Sequence, residues 1–313
     1  MATEYNTKII LVADIEKSGV FASIWGVYNL LPQELRKNVI GVIVNKFRGD
    51  LTLFDEGIRI IEEDFKIPVL GVLPYLPFNL GFEDSASLKN FVQQPRNKKL
   101  DIAVIAYPYM SNYNDFEPLI ADDEVFVEFV SSNISLEKFD LVILPGSKLV
   151  IKDLKWLKQM GLFSQIQNYN KNICAICGGY EMMFESLNDI YALENEQALK
   201  EEGFGFIPDI ITFEKEKILE KKSYDLFGTK IDGFEIHHGM CQKYPLSFEK
   251  ENFKGTFVHQ IFDNNEFRTN YFRSIKTNYV GFDFQEYKKQ TVDNFIETLK
   301  EKLDVNHILK SIS

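Results

Sequence analysis

Basic charge, cysteine and long apolar runs are all scarce in this 313-residue chain, and each scarcity removes a class of function. Its 35 Lys and Arg are outnumbered by 46 Asp and Glu, which leaves a formal net charge of −11 and a pI near 5.0. A protein held to nucleic acid or to an anionic membrane needs a basic stripe, so neither is an expected partner and small molecules are. The opening MATEYNTK lacks the basic start and long apolar core of a secretion signal, and no later run reaches transmembrane length. The expected location is the cytoplasm. Three cysteines make no disulfide framework in a chain this long, so the thiols should be reduced, and one that matters should matter chemically.

What is present is an ordinary globular balance, 45% hydrophobic and 26% charged, at a length that suits two α/β domains. Short Ile- and Val-rich runs at residues 9–13, 39–44, 68–73, 102–106, 141–144 and 172–176 end in Gly, Pro or Asp. They read as buried parallel strands, which need no polar alternation. Helix-like stretches at 20–31, 54–64, 151–160 and 180–186 lie between them, so the expected architecture is doubly wound α/β. The polar, Pro-containing segment QQPRNKK at 93–99 precedes a new strand, and the domains are cut near it, 1–98 and 99–313. Residues 284–309 carry Tyr287, Val292, Phe295, Leu299, Leu303 and Ile308 at helical spacing, which predicts a helix docked on the second domain. The charged stretch 215–222 reads as a solvated face or loop.

One cysteine stands out. The apolar strand NICAI runs directly into Cys177-Gly178-Gly179 and then into the helix-like YEMMF. A nucleophile on such a strand-to-helix elbow is exposed at the carboxyl end of a parallel sheet, with the following N–H groups aimed at the oxyanion it generates. The thiolate is the attacking species, and a helix start favours it. A small buried core cysteine is the bland alternative. A Cys174/Cys177 redox or zinc pair is a weak one, because no second ligand pair accompanies it. Cys241 has no motif around it and reads as structural.

A nucleophilic cysteine needs a base, and only His237, His238, His259 and His307 are available. His307 belongs to the C-terminal helix. His259 ends the strand-like GTFVH, while His237 and His238 sit in GFEIHHG, and spacing alone does not choose between these segments. The turn LPGSK around Gly146 follows a strand and offers backbone N–H groups for the other half of an oxyanion hole, or is a plain turn.

In this order the motifs resemble the cobyric acid synthase family, the glutamine-dependent amidases of corrinoid biosynthesis, over nearly the whole chain. LVADIEKSGVFA at 11–22 is similar to the family's LVxDIDRGGVFA, VNKFRGD at 44–50 to INKFRGD, and GVLPYL at 71–76 is the family's own. SNYNDFEPL at 111–119 resembles SNFTDFDPL, and LPGSK, ICGGY, GFEIH and GTFVH have counterparts. The fold implied is a partial P-loop-like (dethiobiotin-synthetase-like) parallel-sheet domain followed by a class I glutamine amidotransferase-like (flavodoxin-like) domain.

By this resemblance Cys177 is the nucleophile and His259 the catalytic histidine. Gly146, Gly178, Glu235 and His237 line the oxyanion or substrate site. Asp14 faces Mg²⁺ and Asn45 the nucleotide. The implied partners are glutamine and a corrinoid, adenosylcobyrinic acid a,c-diamide, whose carboxylates are activated by ATP with Mg²⁺ and then amidated by the released ammonia. The sister enzyme that amidates the a and c carboxylates fits less well at 48–50 and 111–119.

Four departures qualify the match. No G-x-x-x-x-G-K-[ST] pattern occurs, so the chain looks like a fragment that begins at an internal methionine, with a companion polypeptide expected to carry the phosphate loop. An idle remnant or binding module is the alternative. Ala175 stands for a usual glycine, and EKS at 16–18 for Asp-Arg-Gly. In place of H-x-E the chain reads His259-Gln260-Ile261, so the group that orients the histidine is unassigned, with Glu235 the candidate.

Overall fold

Apolar runs without polar alternation become parallel strands in both halves of the chain, and the helices between them cover the sheet faces. The computed structural model describes residues 4–5, 7–76 and 98–312. It divides into two units, Met1–Leu80 with Tyr287–Ser313, and Gly81–Glu286.

In the first unit, strands β1 (Ile9–Asp14), β2 (Val39–Phe47) and β3 (Val69–Pro74) form a parallel sheet in that order. Alternation along β2 sends Val42 and Val44 to one face and Ile43 to the other. The first face packs with Val20 and Ile24 of helix α1 (Val20–Leu30) and with Phe54, Ile61 and Ile67. The second face, with Leu70 and Leu73, takes Leu299, Leu303 and Ile308.

That second contact corrects the expected docking of the C-terminal helix on the second domain. From Tyr287 onward the segment packs with the first unit. The physical reason is that a parallel sheet needs cover on both faces, and the apolar stripe of the terminal helices Phe284–Lys302 and Val305–Ile312 supplies it. The approach is close at Gly71, where an added Cβ would lie 2.2 Å from the Lys302 carbonyl oxygen. Most of the segment 93–99, the expected boundary, falls outside the described residues.

In the second unit, β4 (Leu100–Ile105), β6 (Val125–Val130), β7 (Leu141–Leu144), β9 (Asn172–Ile176) and β15 (Phe253–Thr256) run parallel in the order β15-β9-β7-β4-β6. Strand β14 (Ser247–Lys250) adds antiparallel to β15. A second sheet is ordered β11-β10-β12-β13-β16, from β11 (Leu199–Glu202), β10 (Phe184–Asp189), the long hairpin β12 (Ile207–Leu226) and β13 (Thr229–Met240), and the short β16 (Val258–His259). A two-strand ladder pairs β5 (Met110–Ser111) with β8 (Gly146–Ser147).

The helix expected at 180–186 is one turn, Gly178–Glu181, and the chain is a strand from Phe184. Backbone bonds from Phe204 N–H to Met182 O and from Ile207 N–H to Met183 O draw it out of the helix. The stretch 215–222 is exposed at most positions, as a solvated face should be, and from Ile218 onward it is paired in the ladder with β13. No helix among the described residues is long and apolar enough to cross a membrane.

Gly71→Ala should force the Lys302 backbone away from β3 and cost about 1–3 kcal/mol, the usual price of overpacking. Urea denaturation checks the loss, and amide exchange should accelerate at Leu303 and Asp304, whose N–H groups bond to Leu299 O and Leu70 O.

Candidate active site

Cys177 stands where β9 ends and the one-turn helix begins, at φ 49° and ψ −112°, a backbone conformation an L residue holds only under constraint. The constraint is visible. Cys177 N–H donates to Thr256 O at 2.8 Å, and Gly179 N–H to Pro145 O at 2.9 Å. Both glycines are pressed against the corner between β7 and β8: a Cβ on Gly178 would lie 2.7 Å from Ser147 N, and one on Gly179 would lie 2.2 Å from Leu144 O. The pair after the cysteine therefore has to be glycine.

His259 ends β16, which is held in register by β13 through Phe234. Its imidazole is fully buried, and Nδ1 lies 2.6 Å from Asp115 Oδ2. The other Asp115 oxygen accepts the Gln260 N–H at 2.8 Å, which Gln260 presents by turning to φ 63°. Burial pulls the imidazole pKa down, but the Asp115 carboxylate and the nearby Cys177 sulfur outweigh it and raise His259 to about 10. Nε2 makes no hydrogen bond of standard geometry. Since Nδ1 is committed to Asp115, Nε2 is the nitrogen free to exchange a proton.

His237 has no such freedom. Its Nδ1 is 2.8 Å from Gly239 O and its Nε2 is 3.2 Å from Glu235 Oε2, so both nitrogens are engaged, and the ring stacks on Phe257 at 3.6 Å. Glu235, the candidate orienting group, is thereby corrected: it partners His237, and Asp115 partners His259. The ladder explains this, because residues 235 and 237 alternate onto the same face of β13, whereas His259 points to the turn that follows β5.

Cys177, His259 and His237 line one cavity of about 360 Å³, together with Ser147, Glu181, Glu194, Lys148 and Lys217. Glu181 Oε1 accepts the Gly239 N–H at 3.1 Å, and burial pushes its carboxyl up to about 8. Glu194 Oε2 accepts the Ile151 N–H at 2.8 Å at the start of the helix Val150–Gln159, and burial raises it to about 7. Asp153, raised by burial to about 6, accepts from Ser147 Oγ at 2.6 Å and from Tyr109 N–H at 3.1 Å, which pins the Gly146–Ser147 turn. A Cβ on Gly146 would lie 3.0 Å from His259 Cε1, so that glycine leaves room for the imidazole.

Comparison with known proteins agrees with this architecture. Residues 101–267 match the family model of the CobB/CobQ-like glutamine amidotransferase domain, and residues 1–78 match an AAA domain. A cobyric acid synthase from Acinetobacter baylyi is 67% identical over 312 residues, covering 100% of this chain and 67% of that protein. The chain belongs to the cobyric acid synthase family. A cobyric acid synthase from Clostridium tetani is 35% identical, covering 97% of this chain and again 67% of the relative. Among solved structures, a glutamine amidotransferase aligns with a TM-score of 0.41 at 13% identity, over 56% of this chain and 97% of that one. Membership makes the protein an enzyme of the glutamine amidotransferase class in cobalamin biosynthesis.

Family membership also frames the residues of the first unit. Asp14, at the carboxyl end of β1, lines a cavity of about 240 Å³ with Lys17 and Ser18. Its carboxyl is held below the usual range first by a hydrogen bond from Lys46 Nζ at 2.8 Å. Mg²⁺ with a nucleotide needs only one or two carboxylates beside phosphate oxygens, and an ionised Asp14 facing a cavity fits that need. Asn45 is not among the cavity's lining residues, and its Oδ1 accepts the Lys46 N–H at 2.8 Å. No group of three or more His, Cys, Asp or Glu able to hold a metal occurs among the described residues, and Cys174, Cys177 and Cys241 are free thiols. Burial pushes the Cys174 thiol up to about 12, which suits a core residue.

Sequence reasoning missed Asp115, Glu181, Glu194 and Lys217. Asp115 lies inside the 111–119 motif on which the family resemblance rests, and Glu181 is the fourth residue after Cys177, so signals for both were present.

A histidine whose folded pKa is raised stabilises the fold fully below its unfolded value near 6.5, and that stabilisation is lost as pH rises through about 10. Across that window the wild-type chain should lose stability relative to Asp115→Asn, in which the carboxylate charge is gone. Denaturant titrations at stepped pH check this, and parallel curves for the two proteins would contradict the assignment.

Proposed function

We propose that this chain hydrolyses glutamine at Cys177, with His259 as base and Asp115 as the group that orients it. The observation that carries the reading is the set of three buried features at one cavity: the constrained elbow, the uncommitted Nε2, and the 2.6 Å bond behind it. Cys177 gives its thiol proton to His259 Nε2 and its sulfur attacks the carboxamide carbon; the C=O π pair moves to the oxygen, where the Gly178 N–H and the Gly146–Ser147 turn stand ready to stabilise it. His259 Nε2–H protonates the departing nitrogen, ammonia leaves, and a thioester remains. Nε2 then takes a proton from water as its oxygen attacks the thioester, releasing glutamate and the Cys177 sulfur. Glu181 and Glu194 give the cavity carboxyl oxygens for the α-ammonium of the substrate, whose charge would favour the ionised forms that burial alone disfavours. His237, fixed by Glu235, lines the wall without exchanging protons.

The ammonia is used, in this reading, to amidate carboxylates of adenosylcobyrinic acid a,c-diamide. ATP supplies the phosphoryl group that turns a carboxylate oxygen into a leaving group. Asp14 would hold the Mg²⁺ that accompanies it. The likeness of residues 1–78 to an AAA domain and the similarity of the whole chain to about two thirds of a cobyric acid synthase support this assignment.

Treatment with 6-diazo-5-oxo-L-norleucine, a glutamine analogue that alkylates a nucleophile, tests the hydrolytic half. Peptide mass spectrometry should find one adduct, on Cys177, absent from Cys177→Ala. His259→Ala should slow labelling roughly 10²–10⁴-fold, the span of general acid–base contributions. A folded protein that takes no label would rule out the glutaminase reading and favour an idle remnant.

A further inference from the structure

The hairpin β12–β13 breaks its register beside the cavity. Phe213 pairs with Gly239, but the next pair is Ile218 with His237. Four residues, Glu214 to Lys217, thus lie opposite one, His238, so the strand carries three more residues than the ladder needs. Insertions of this kind re-aim a side chain and are found beside active sites. This one is pinned at both visible points. His238 Nδ1 sits 2.9 Å from Glu214 O, and Lys215 Nζ is drawn 4.8 Å above the Tyr191 ring. The second lysine of the insertion, Lys217, lines the cavity with Cys177.

Lys217 makes no ion pair within 4 Å among the described residues, although acidic residues surround it in sequence. Its charge is felt by buried Glu181, whose ionised form it favours. A lysine and two carboxyl groups lining one cavity match a zwitterion, in which ammonium and carboxylate hang on a single carbon. Lys148 also lines the cavity, but it does not figure among the charges that act on Glu181.

We infer that Lys217, delivered by the bulge Glu214–Lys217, binds the α-carboxylate of glutamine and makes the site select free glutamine over amides that lack this group. The inference rests on the glutaminase reading and adds the residue that gives it substrate specificity. It accounts for the inserted residues, which the ladder itself does not require. It also explains why a lysine is left unpaired at the cavity of a strongly acidic chain.

The experiment compares two reagents on the full chain. 6-Diazo-5-oxo-L-norleucine carries the α-carboxylate, whereas iodoacetamide alkylates a reactive thiol and carries none. Lys217→Met should slow labelling of Cys177 by the first reagent at least tenfold, about the worth of one charge-assisted hydrogen bond, and leave the iodoacetamide rate within about twofold. Lys217→Arg should restore most of the loss, and Lys148→Met should not reproduce it. Equal slowing with both reagents would mean that the bulge only shapes the site, and overturns the inference. An unchanged rate with the glutamine analogue overturns it too, as does a Lys148→Met effect equal to that of Lys217→Met. If the wild-type chain is labelled by iodoacetamide at Cys177 but not by the glutamine analogue, the glutaminase reading itself fails and this inference with it.

Discussion

The hydrogen bond between His259 and Asp115 is the contact around which the rest of the site is arranged. It joins the turn after β5 to the end of β16, residues 144 apart in sequence, and both side chains are withdrawn from water. Breaking a buried charged pair by removing one partner costs about 3–5 kcal/mol, so the two segments are not independent. Several local features serve the same bond. Gln260 takes a left-handed conformation to give Asp115 its second donor, Gly146 has no side chain to strike the imidazole, and Phe234 stacks against it at 5.0 Å. The bond also sets chemistry, since committing Nδ1 to the carboxylate decides which nitrogen faces the cavity.

The second constraint is the elbow at Cys177. A non-glycine residue at positive φ costs about 1–3 kcal/mol and survives only where its neighbours over-determine it. Here β15 supplies the acceptor for its N–H and the end of β7 presses on the two glycines that follow. The strain is therefore held by the most buried part of the molecule, the parallel strands whose residues include Leu141, Val142, Ile143 and Leu144 without accessible surface. The rigidity of that core is what a sulfur in an unfavourable backbone conformation requires.

How much of this was legible follows from where each signal resides. Strands β7 and β9 have the bounds their apolar runs suggest, because burial on both faces leaves an uninterrupted hydrophobic signature. The hairpin β12–β13 is hidden for the opposite reason. Much of β12 faces solvent, so its sequence alternates charge with isolated apolar residues and resembles a loop. Cys177 announces itself through a local pattern, a strand run into Gly-Gly. Asp115 does not, because an orienting carboxylate needs proximity in space and can come from any segment; Glu235 was nearer to the histidines in sequence and is bonded to a different ring. Lys217 is one lysine in a charged stretch, and only the register break distinguishes it. The C-terminal helix carried a clear apolar stripe, but a stripe says that a face is covered and not which one.

Strand β13 is bonded along one edge to β12, which bears the inserted residues, and along the other to β16, which ends at His259. The lysine proposed to read the substrate and the histidine proposed as base therefore hang from the two neighbours of a single strand, and the backbone of β13 sets the spacing between them.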